Sequence, residues 1–241
     1  MNIAGRTVLV TGANRGLGKA LVSVLLRADA LKIYAAVRDT STLAERDQRV
    51  VPVALDVSSD ASVAEVAERC RDVDIIVNNA AFLSNQSAFR AEVTDPARLE
   101  METNFWGPMR VIRSFAPGLA QRGTGVFVNI LSVGALTGIP FCSGYCASKA
   151  AMWSMTQSLR HELKADGIDI VAVFPGPIAT EMARAHEREG RALPESVASE
   201  IVRGIEARTL DIFPDQISAS IAELYRADPW ALGERFADAI D

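Results

Sequence analysis

Tyr145 and Lys149 are two residues whose types and spacing are suited to acid–base chemistry. Because they are four residues apart, a helix would place them on one face with Cβ atoms about 5–6 Å apart. An isolated tyrosine has a pKa of about 10 and is a poor proton donor or base at neutral pH. A neighbouring ammonium group favours the phenolate and lowers that pKa. Such a pair could exchange a proton with a substrate oxygen, although a half-buried ring beside a solvated amine is the commoner arrangement.

A glycine-containing loop near the N-terminus has the form of a phosphate-binding turn. The β-branched run Thr7–Val10 predicts a strand, the segment 11–18 (TGANRGLG) follows it, and helical apolar spacing begins at Leu17. A strand, a glycine loop and a helix together offer backbone N–H groups to a phosphate. Ala13 and Ala20 break the P-loop pattern, and the spacing differs from G-x-G-x-x-G. The loop alone is therefore weak evidence for a nucleotide site.

Basic residues near this loop bear on which dinucleotide it would bind. The strand predicted at Ile33–Val37 is followed by Arg38 and Asp39, and Arg15 lies within the glycine loop. At the end of this strand an acidic residue accepts hydrogen bonds from the adenosine ribose, whereas an arginine suits a 2′-phosphate. Two guanidinium groups favour NADP(H) over NAD(H), and Asp39 keeps NAD open as the alternative. Both arginines could also be ordinary surface residues.

The order of the predicted elements defines the fold class. Apolar runs of strand length alternate with helical segments, which indicates a parallel sheet covered by helices on both faces. We therefore predict an α/β fold, a doubly wound, Rossmann-like parallel sheet in a three-layer αβα sandwich, with one domain over residues 1–241. The predicted strands are Thr7–Val10, Ile33–Val37, Val50–Leu55, Asp74–Val77, Val126–Leu131, Asp169–Phe174 and Leu210–Phe213. The predicted helical segments include Asp60–Cys70, Pro96–Gln121, Ala150–Leu163, Ser199–Arg208 and the tail from Ile217.

Ligands of such sheets bind at the carboxyl ends of the strands. Residues able to bind or react fall at these ends in several places, and this convergence raises the weight of the Tyr145 and Lys149 pair. These residues are Gly12, Arg38, Asp56, Asn78, Ser132 and Pro175. The segment 181–195, rich in Arg, Glu and Ala at its start, is predicted to be a substrate cover or else a solvated helix.

Pro108 has a consequence for the backbone four residues earlier. Proline has no N–H, so Pro108 cannot donate to the carbonyl of Asn104 within a helix. That carbonyl is left to bind another group, such as a water molecule. The plainer outcome is a kink in the helix.

Composition and charge exclude several classes of partner. The chain has 241 residues and a net charge of −5, and its basic residues are scattered, which gives no support to binding of nucleic acid or an anionic membrane. Apolar runs fall short of the roughly 20 residues of a membrane span. An apolar run begins almost at the first residue, so we expect no signal peptide and a cytoplasmic location. Three cysteines and two distant histidines indicate neither a disulfide framework nor a metal site.

In order and spacing, several motifs resemble those of the short-chain dehydrogenase/reductase family, in its short single-domain branch. The resemblance runs from Thr11 to about Phe213. The motifs are Thr11-Gly12-x-x-x-Gly16-x-Gly18, Asn78-Asn79-Ala80, Asn104-x-x-Gly107, Ser132 placed 13 residues before Tyr145, Tyr145-x-x-x-Lys149, and Pro175-Gly176-x-Ile178-x-Thr180. Two departures are Ala81, where glycine is usual, and Asp29-Ala30 in place of the usual glycine before the second strand.

The resemblance implies an oxidoreductase that transfers hydride between a nicotinamide and a carbonyl/alcohol pair. It implies that Tyr145 transfers the proton, Lys149 lowers its pKa and binds the ribose, Ser132 binds the substrate oxygen, and the Asn104 carbonyl holds a water. The catalytic residues would be Asn104, Ser132, Tyr145 and Lys149. The cofactor-binding residues would be Gly12, Asn14, Arg15, Gly16, Leu17, Gly18, Arg38, Asp56, Val57, Asn78, Ala80, Tyr145, Lys149, Pro175, Gly176, Ile178 and Thr180.

Substrate and assembly are less constrained. Substrate contacts are predicted at Ser132, Leu83, Leu136, Phe141 and Met182, with Phe82, Val133 and Cys142 nearby, and this mostly apolar set suggests an uncharged or bulky substrate. A homotetramer or homodimer is implied by resemblance, with Trp106, Met109, Met152, Trp153 and Met155 as apolar candidates for the interface. A dinucleotide sensor without activity is the alternative from another class, and the absence of a G-x-S-x-G motif disfavours a serine hydrolase.

Overall fold

Seven parallel strands form the sheet around which the chain folds, in the order β3-β2-β1-β4-β5-β6-β7. The computed structural model describes residues 2–87, 89, 95–183 and 190–237. The strands are β1 (Thr7–Thr11), β2 (Lys32–Val37), β3 (Val50–Ala54), β4 (Ile75–Asn78), β5 (Gly125–Ile130), β6 (Ile168–Val173) and β7 (Asp211–Ile212). The helices are α1 (Gly16–Arg27), α2 (Asp60–Arg69), α3 (Asp95–Met101), α4 (Gly107–Arg122), α5 (Ser143–Glu162), α6 (Pro194–Glu206), α7 (Gln216–Ala227) and α8 (Pro229–Ala237).

The central strands are buried on both faces, which explains their continuous apolar runs. In β1, Val8 and Val10 pack in the same cluster as residues of α1 and α6. Leu9, between them, packs in a second cluster with residues of α2, α4 and α5. Alternate side chains of a strand point to opposite faces, so each strand contributes to both clusters. The α/β class, the doubly wound parallel sheet and the three layers predicted from the sequence are confirmed.

The order of the strands reverses at β1, because β2 pairs on one side of it and β4 on the other. The loops after β1 and β4 therefore leave the sheet in opposite directions and open a crevice between them. The predicted ligand site falls at this switch point.

The long helical region predicted at 96–121 is divided in three. A π-helical turn, Glu102–Trp106, joins α3 to α4, and the Gly107 N–H donates to the Glu102 carbonyl five residues earlier. Pro108 lies in the first turn of α4, where a missing N–H is least costly. The break predicted from Pro108 is thus a π-turn that contains Asn104, and such turns are frequent at functional sites.

Several boundaries differ from the predictions for local reasons. The predicted strands ran one residue too far at Leu55, Leu131 and Phe174, although each of these N–H groups still bonds to the neighbouring strand. Helix α6 begins at Pro194 rather than Ser199, because proline fits the first turn of a helix. The predicted C-terminal helix is two helices, since Asp228 before Pro229 is extended.

The C-terminal helices cover the end of β5. Ile221 of α7 and Leu232 of α8 pack with Val133, which follows β5, in a small third cluster. In the predicted cover at 181–195, Glu181–Ala183 forms a short 3-10 turn and Ala192 bridges to Ile178. Residues 184–189 lie outside the described residues, so the cover stays a prediction. None of the described helices has the length and apolar character needed to cross a bilayer.

Candidate active site

The glycine loop after β1 is built around close backbone approaches. Gly12 and Gly16 have φ angles of +66° and +52°, in the region that favours glycine. A Cβ on Gly18 would lie 2.1 Å from the Gly12 carbonyl oxygen. The loop can therefore keep this shape only with glycine at position 18. Leu17 and Gly18 are buried in the first turn of α1, whose N-terminus faces the crevice.

Asn79 holds this loop against the end of β4. Its amide donates to the carbonyls of Thr11 (2.8 Å) and Gly12 (3.2 Å), and the Thr11 hydroxyl accepts from the N–H groups of Asn79 and Ala80. Asn78, a predicted cofactor contact, instead donates from its side chain to Asn129 at 2.9 Å within the sheet. Asn79 was missing from the predicted site residues, although it belongs to the motif that located them.

Arg38 and Asp39 follow β2, and Arg15 comes from the glycine loop after β1. Asp39 accepts from the Ser41 N–H (2.9 Å) and hydroxyl (2.7 Å), and these hydrogen bonds, the hydroxyl's first, lower the pKa of Asp39. Arg38 is exposed. Arg15 forms an exposed ion pair with Glu181 at 3.5 Å, which is a weak interaction in water. Asn14, the neighbour of Arg15 in the loop, donates to Thr42 at 3.0 Å.

Asp56 and Val57, after β3, stand at the predicted adenine position. The Asp56 carboxylate accepts from the hydroxyl and N–H of Ser58, and these hydrogen bonds lower its pKa, with smaller effects from nearby arginines. Val57 is buried, and a Cβ on Gly107 would lie 3.0 Å from its Cγ2. Gly107, part of the motif that contains Asn104, is thus needed for contact with this loop.

Ser132, Tyr145 and Lys149 are brought together at the end of β5. The Ser132 hydroxyl accepts from the Gly134 N–H at 3.1 Å, and its proximity to the phenol acts to lower the pKa of Tyr145. Lys149 is 3% exposed, its Nζ lies 5.6 Å from the centroid of the Tyr145 ring, and it donates to the Ile130 carbonyl at 2.8 Å. Strand β5 thus supplies the hydroxyl and anchors the amine, while α5 supplies the phenol. The helical spacing predicted for Tyr145 and Lys149 is present.

The sequence predicted that Lys149 controls the pKa of Tyr145, but burial has the larger effect on that pKa. Burial raises the pKa of Tyr145, and the group that lowers it is the Ser132 hydroxyl. Burial also lowers the pKa of Lys149 to about 7. The prediction of a lowered tyrosine pKa was therefore wrong for the protein by itself, because desolvation of the phenolate outweighs the stabilising contacts.

Asn104 uses its side chain to hold the loop that follows β4. Its Oδ1 accepts from the Phe82 N–H and its Nδ2 donates to the Phe82 carbonyl, both at 2.8 Å. Nδ2 also donates to the Ser148 hydroxyl at 3.0 Å, and that hydroxyl donates to the Tyr145 carbonyl at 2.7 Å. The side chain of Asn104 is thus committed to structure, and a water on its main-chain carbonyl stays a prediction.

The segment after β6 is fastened from two sides. The Gly176 N–H donates to Asp215 at 2.8 Å, and a Cβ at this position would lie 2.7 Å from the same carboxylate. Thr180 lies against the glycine loop, since a Cβ on Gly16 would be 3.2 Å from its Cγ2. Pro175 accepts through its carbonyl from the Val133 N–H at 3.0 Å. Asp215, which also caps α7, was not predicted, because nothing in the local sequence links it to Gly176.

The predicted substrate contacts keep part of their surface in solvent. Leu83, Leu136 and Phe141 are half-buried, and Met182 is 37% exposed. Of the predicted interface residues, Met109 and Met152 are buried within the chain, at 9% and 1% exposure, so they cannot contact another copy. Trp106 keeps 46% of its surface exposed. Among the described residues no cluster of three or more His, Cys, Asp and Glu could hold a metal ion.

The fold and this arrangement define a class: a Rossmann-type oxidoreductase with a dinucleotide site at the switch point of its sheet. A sequence model described as short chain dehydrogenase matches residues 6–190. The chain therefore belongs to the short-chain dehydrogenase/reductase family, as the motifs predicted, and is a hydride-transferring oxidoreductase.

Known relatives extend over nearly the whole chain. A ketoacyl reductase, HetN, from Nostoc is 29% identical over 244 residues, covering 93% of this chain and 84% of the relative. The crystal structure of a short-chain dehydrogenase from Burkholderia cenocepacia in complex with NADP is 35% identical, with a TM-score of 0.93 and coverage of 98% and 99%. A family member from Burkholderia phymatum in complex with NAD shares the fold, with 22% identity, a TM-score of 0.85 and 97% coverage of each chain.

Proposed function

We propose that this protein is an NADP(H)-dependent oxidoreductase for a carbonyl/alcohol pair, with Tyr145 as the general acid/base. The observation that carries the proposal is the buried Lys149 amine 5.6 Å from the centroid of the Tyr145 ring, with Ser132 close enough to the phenol to lower its pKa. This group stands at the carboxyl edge of the sheet, on the same side as the glycine loop. The substrate is an uncharged or bulky ketone, aldehyde or secondary alcohol.

The residues around the crevice fit a dinucleotide. The close approach of Gly18 to Gly12 leaves backbone rather than side chains at the N-terminus of α1, as a pyrophosphate requires. The adenine end would meet Asp56 and Val57, and the nicotinamide end would meet Ile178 and Thr180. The nicotinamide, when bound, supplies or accepts the hydride.

Side chains of the protein bind the substrate oxygen and transfer its proton. Ser132 donates a hydrogen bond to the substrate oxygen and stabilises negative charge that develops there. Tyr145 gives its proton to that oxygen during reduction and takes it back during oxidation. Lys149, with a pKa near 7, gains charge readily at neutral pH and binds the ribose hydroxyls. The Asn104 carbonyl holds a water that links Lys149 to solvent.

The preference for NADP(H) follows from the state of the residues after β2. Asp39 accepts both hydrogen bonds from Ser41 through Oδ1, which leaves Oδ2 able to accept from a ribose diol, so the preference rests on the two arginines. Arg38 is exposed, and the weak pair between Arg15 and Glu181 leaves the Arg15 guanidinium able to turn to a phosphate. The 35% identical relative binds NADP. NAD with the same chemistry is the alternative.

Three further expectations belong to this proposal. The half-buried apolar residues Leu83, Leu136 and Phe141 favour a substrate without charge near the reacting carbon. The chain self-associates, as a tetramer or dimer, through a surface that includes exposed Trp106. It works in the cytoplasm.

A cofactor-oxidation screen tests the function. Wild-type protein is assayed with NADPH, and with NADH alongside, over ketones, aldehydes, quinones and imines. Tyr145→Phe removes one oxygen atom and serves as the matched variant. We expect it to bind NADPH normally and to lose turnover by about 100-fold or more, the share of one general acid. Near-normal turnover in Tyr145→Phe would refute the role of the phenol, and cofactor binding without turnover of any substrate class would favour the sensor.

A further inference from the structure

Glu100 of α3 is a carboxyl group that the fold buries almost completely, at 1% exposure. Its Oε1 accepts from the Ser84 N–H at 2.9 Å and from the Ser84 hydroxyl at 2.8 Å. Its Oε2 is buried and accepts no hydrogen bond from any residue that the structure describes. Carboxylates are rarely buried in full without a partner for each oxygen. Burying a carboxyl group with one unpartnered oxygen destabilises the fold, which points to a functional role for Glu100.

Glu100 and Asn104 hold the same short loop from one side of one helical segment. Both side chains bond to the loop after β4, so they face the same way. Asn104 binds Phe82 through both backbone groups, and Glu100 binds Ser84 through its N–H and hydroxyl. Leu83, a predicted substrate contact, is the residue between the two attachments. The position of this wall of the pocket is therefore set by both side chains.

The second oxygen of Glu100 meets the start of the helix that carries Tyr145. A Cβ on Gly144 would lie 2.4 Å from Oε2, so the carboxyl group packs directly on the residue before Tyr145. The first turn of α5 contains no acidic residue of its own. A helix N-terminus favours negative charge, and here α3 provides it.

The charge of Glu100 also acts on the Tyr145 phenol. Burial is the largest cause of the raised pKa of Tyr145, and the negative charge of Glu100 adds to it in the same direction. The other groups near the phenol are Ser132 after β5, Cys142 just before α5, and Cys146 and Lys149 in α5. Among these groups Glu100 is the acidic residue, and it belongs to α3 rather than α5.

We propose that Glu100 is a positioning residue: its carboxylate joins the Phe82–Ser84 wall of the predicted substrate pocket to the first turn of α5 and places a negative charge against Gly144, the residue before Tyr145. The inference rests on the proposed function, since that function gives the phenol a proton to transfer. The charge of Glu100 disfavours the phenolate, the form that accepts a proton during alcohol oxidation.

Glu100→Gln separates charge from shape, because glutamine keeps an acceptor for Ser84. In this variant we expect the pH profile of kcat/KM for alcohol oxidation with NADP⁺ to shift. The apparent pKa of its rising limb should fall by about one unit, as for the loss of a nearby like charge. A limb that stays at the wild-type pH would overturn the electrostatic role. Glu100→Asp keeps the charge and shortens the reach, so its limb should stay in place while KM rises. An unchanged KM in Glu100→Asp would overturn the role in holding the wall.

Two control variants separate these effects from general damage. Glu102→Gln removes a carboxylate two residues away that pairs with Arg110 at 2.6 Å, and its limb should stay in place. Ser84→Ala removes one hydrogen bond to Glu100 and should raise KM by about three- to tenfold without moving the limb. A shift of the limb in either control would contradict the assignment of the charge effect to Glu100.

A titration that needs no substrate separates this inference from the proposed function. Tyrosinate absorbance is followed with pH in the NADP⁺ complex, and the Tyr145→Phe trace is subtracted to isolate Tyr145. In Glu100→Gln the isolated transition should lie at lower pH than in the wild type, and coincident transitions would overturn the inference. Normal turnover in Tyr145→Phe would instead remove the proposed function while this titration still reports on Glu100. If Glu100→Gln does not fold, the KM of Glu100→Asp against Ser84→Ala decides the positioning role.

Discussion

At the scale of single residues, the site shows how burial changes the chemistry of groups that sequence spacing brings together. Tyr145 and Lys149 both lose water, and each is driven toward its neutral form. The nearby Ser132 hydroxyl opposes this by lowering the pKa of Tyr145. The same residue types on an exposed helix would be a neutral phenol beside an ammonium ion.

Lys149 makes a prediction about stability and pH. Its pKa falls from 10.5 to about 7 through burial, so between these pH values the unfolded chain binds more protons than the native protein. Stability therefore rises with pH across this window, by at most about 5 kcal/mol from this group. Lys149→Met, which keeps the length without the charge, should flatten that rise in urea unfolding and lose activity. An identical pH dependence of the free energy of unfolding in the variant would contradict a neutralised native Lys149.

Arg38 makes a prediction about the cofactor. Arg38→Ala should weaken the binding of NADPH by about tenfold or more, because it removes one charged contact with a phosphate. The binding of NADH should stay nearly unchanged. Arg46→Ala removes an equal charge from a nearby exposed position and should affect neither cofactor. Dissociation constants from fluorescence titration measure both. Equal losses for NADPH and NADH in Arg38→Ala would overturn the preference for NADP(H).

At the scale of elements, the site depends on loops that approach one another through glycine. The turn after β1 packs on the end of β4 through Asn79 and on the segment after β6 through Thr180. The π-turn between α3 and α4 brings Asn104 and Gly107 to two further loops. Strand ends from across the sheet are thereby joined by short backbone contacts that larger residues would block.

Gly18→Ala tests this arrangement. The new methyl would lie 2.1 Å from the Gly12 carbonyl oxygen, so the loop must move and NADPH binding should fall by about 100-fold, as expected for a displaced binding group. Gly118→Ala is the matched control: Gly118 lies inside α4 with only the Arg122 guanidinium at 4.0 Å. That variant should bind normally and gain about 0.5–1 kcal/mol in stability from helix propensity. Wild-type affinity in Gly18→Ala would show that the loop is not the phosphate cradle.

At the scale of the whole molecule, the proposed cofactor site touches the ends of β1 to β6. Ligand binding to the native state alone stabilises it by about 2.7 kcal/mol at 100 times the dissociation constant. For a chain of this size we expect NADPH to raise Tm by roughly 5–10 °C under that condition. NADH at the same concentration should raise it less. Gly18→Ala, with binding about 100-fold weaker, should show a shift of only about 1–2 °C with NADPH under that condition, and a full shift in that variant would place the cofactor elsewhere.

The sequence alone determined the class of fold, the family and the residues that meet at the strand ends. These properties follow from local chemistry: alternating apolar runs, glycines where the backbone must turn, and a Tyr and Lys one helical turn apart. Helix starts were less predictable where proline governed them, as at Pro194, and so was the break at Asp228.

Only the tertiary structure decided which groups are buried and which are hydrogen-bonded. Burial reversed the expected direction of the Tyr145 pKa, committed the side chain of Asn104 to Phe82, and placed Glu100 beneath Gly144. Asp215 and Asn79 became part of the site through contacts 39 and 68 residues away in the chain. Desolvation and long-range hydrogen bonds depend on residues that folding brings together, so they cannot be predicted from residue type and spacing.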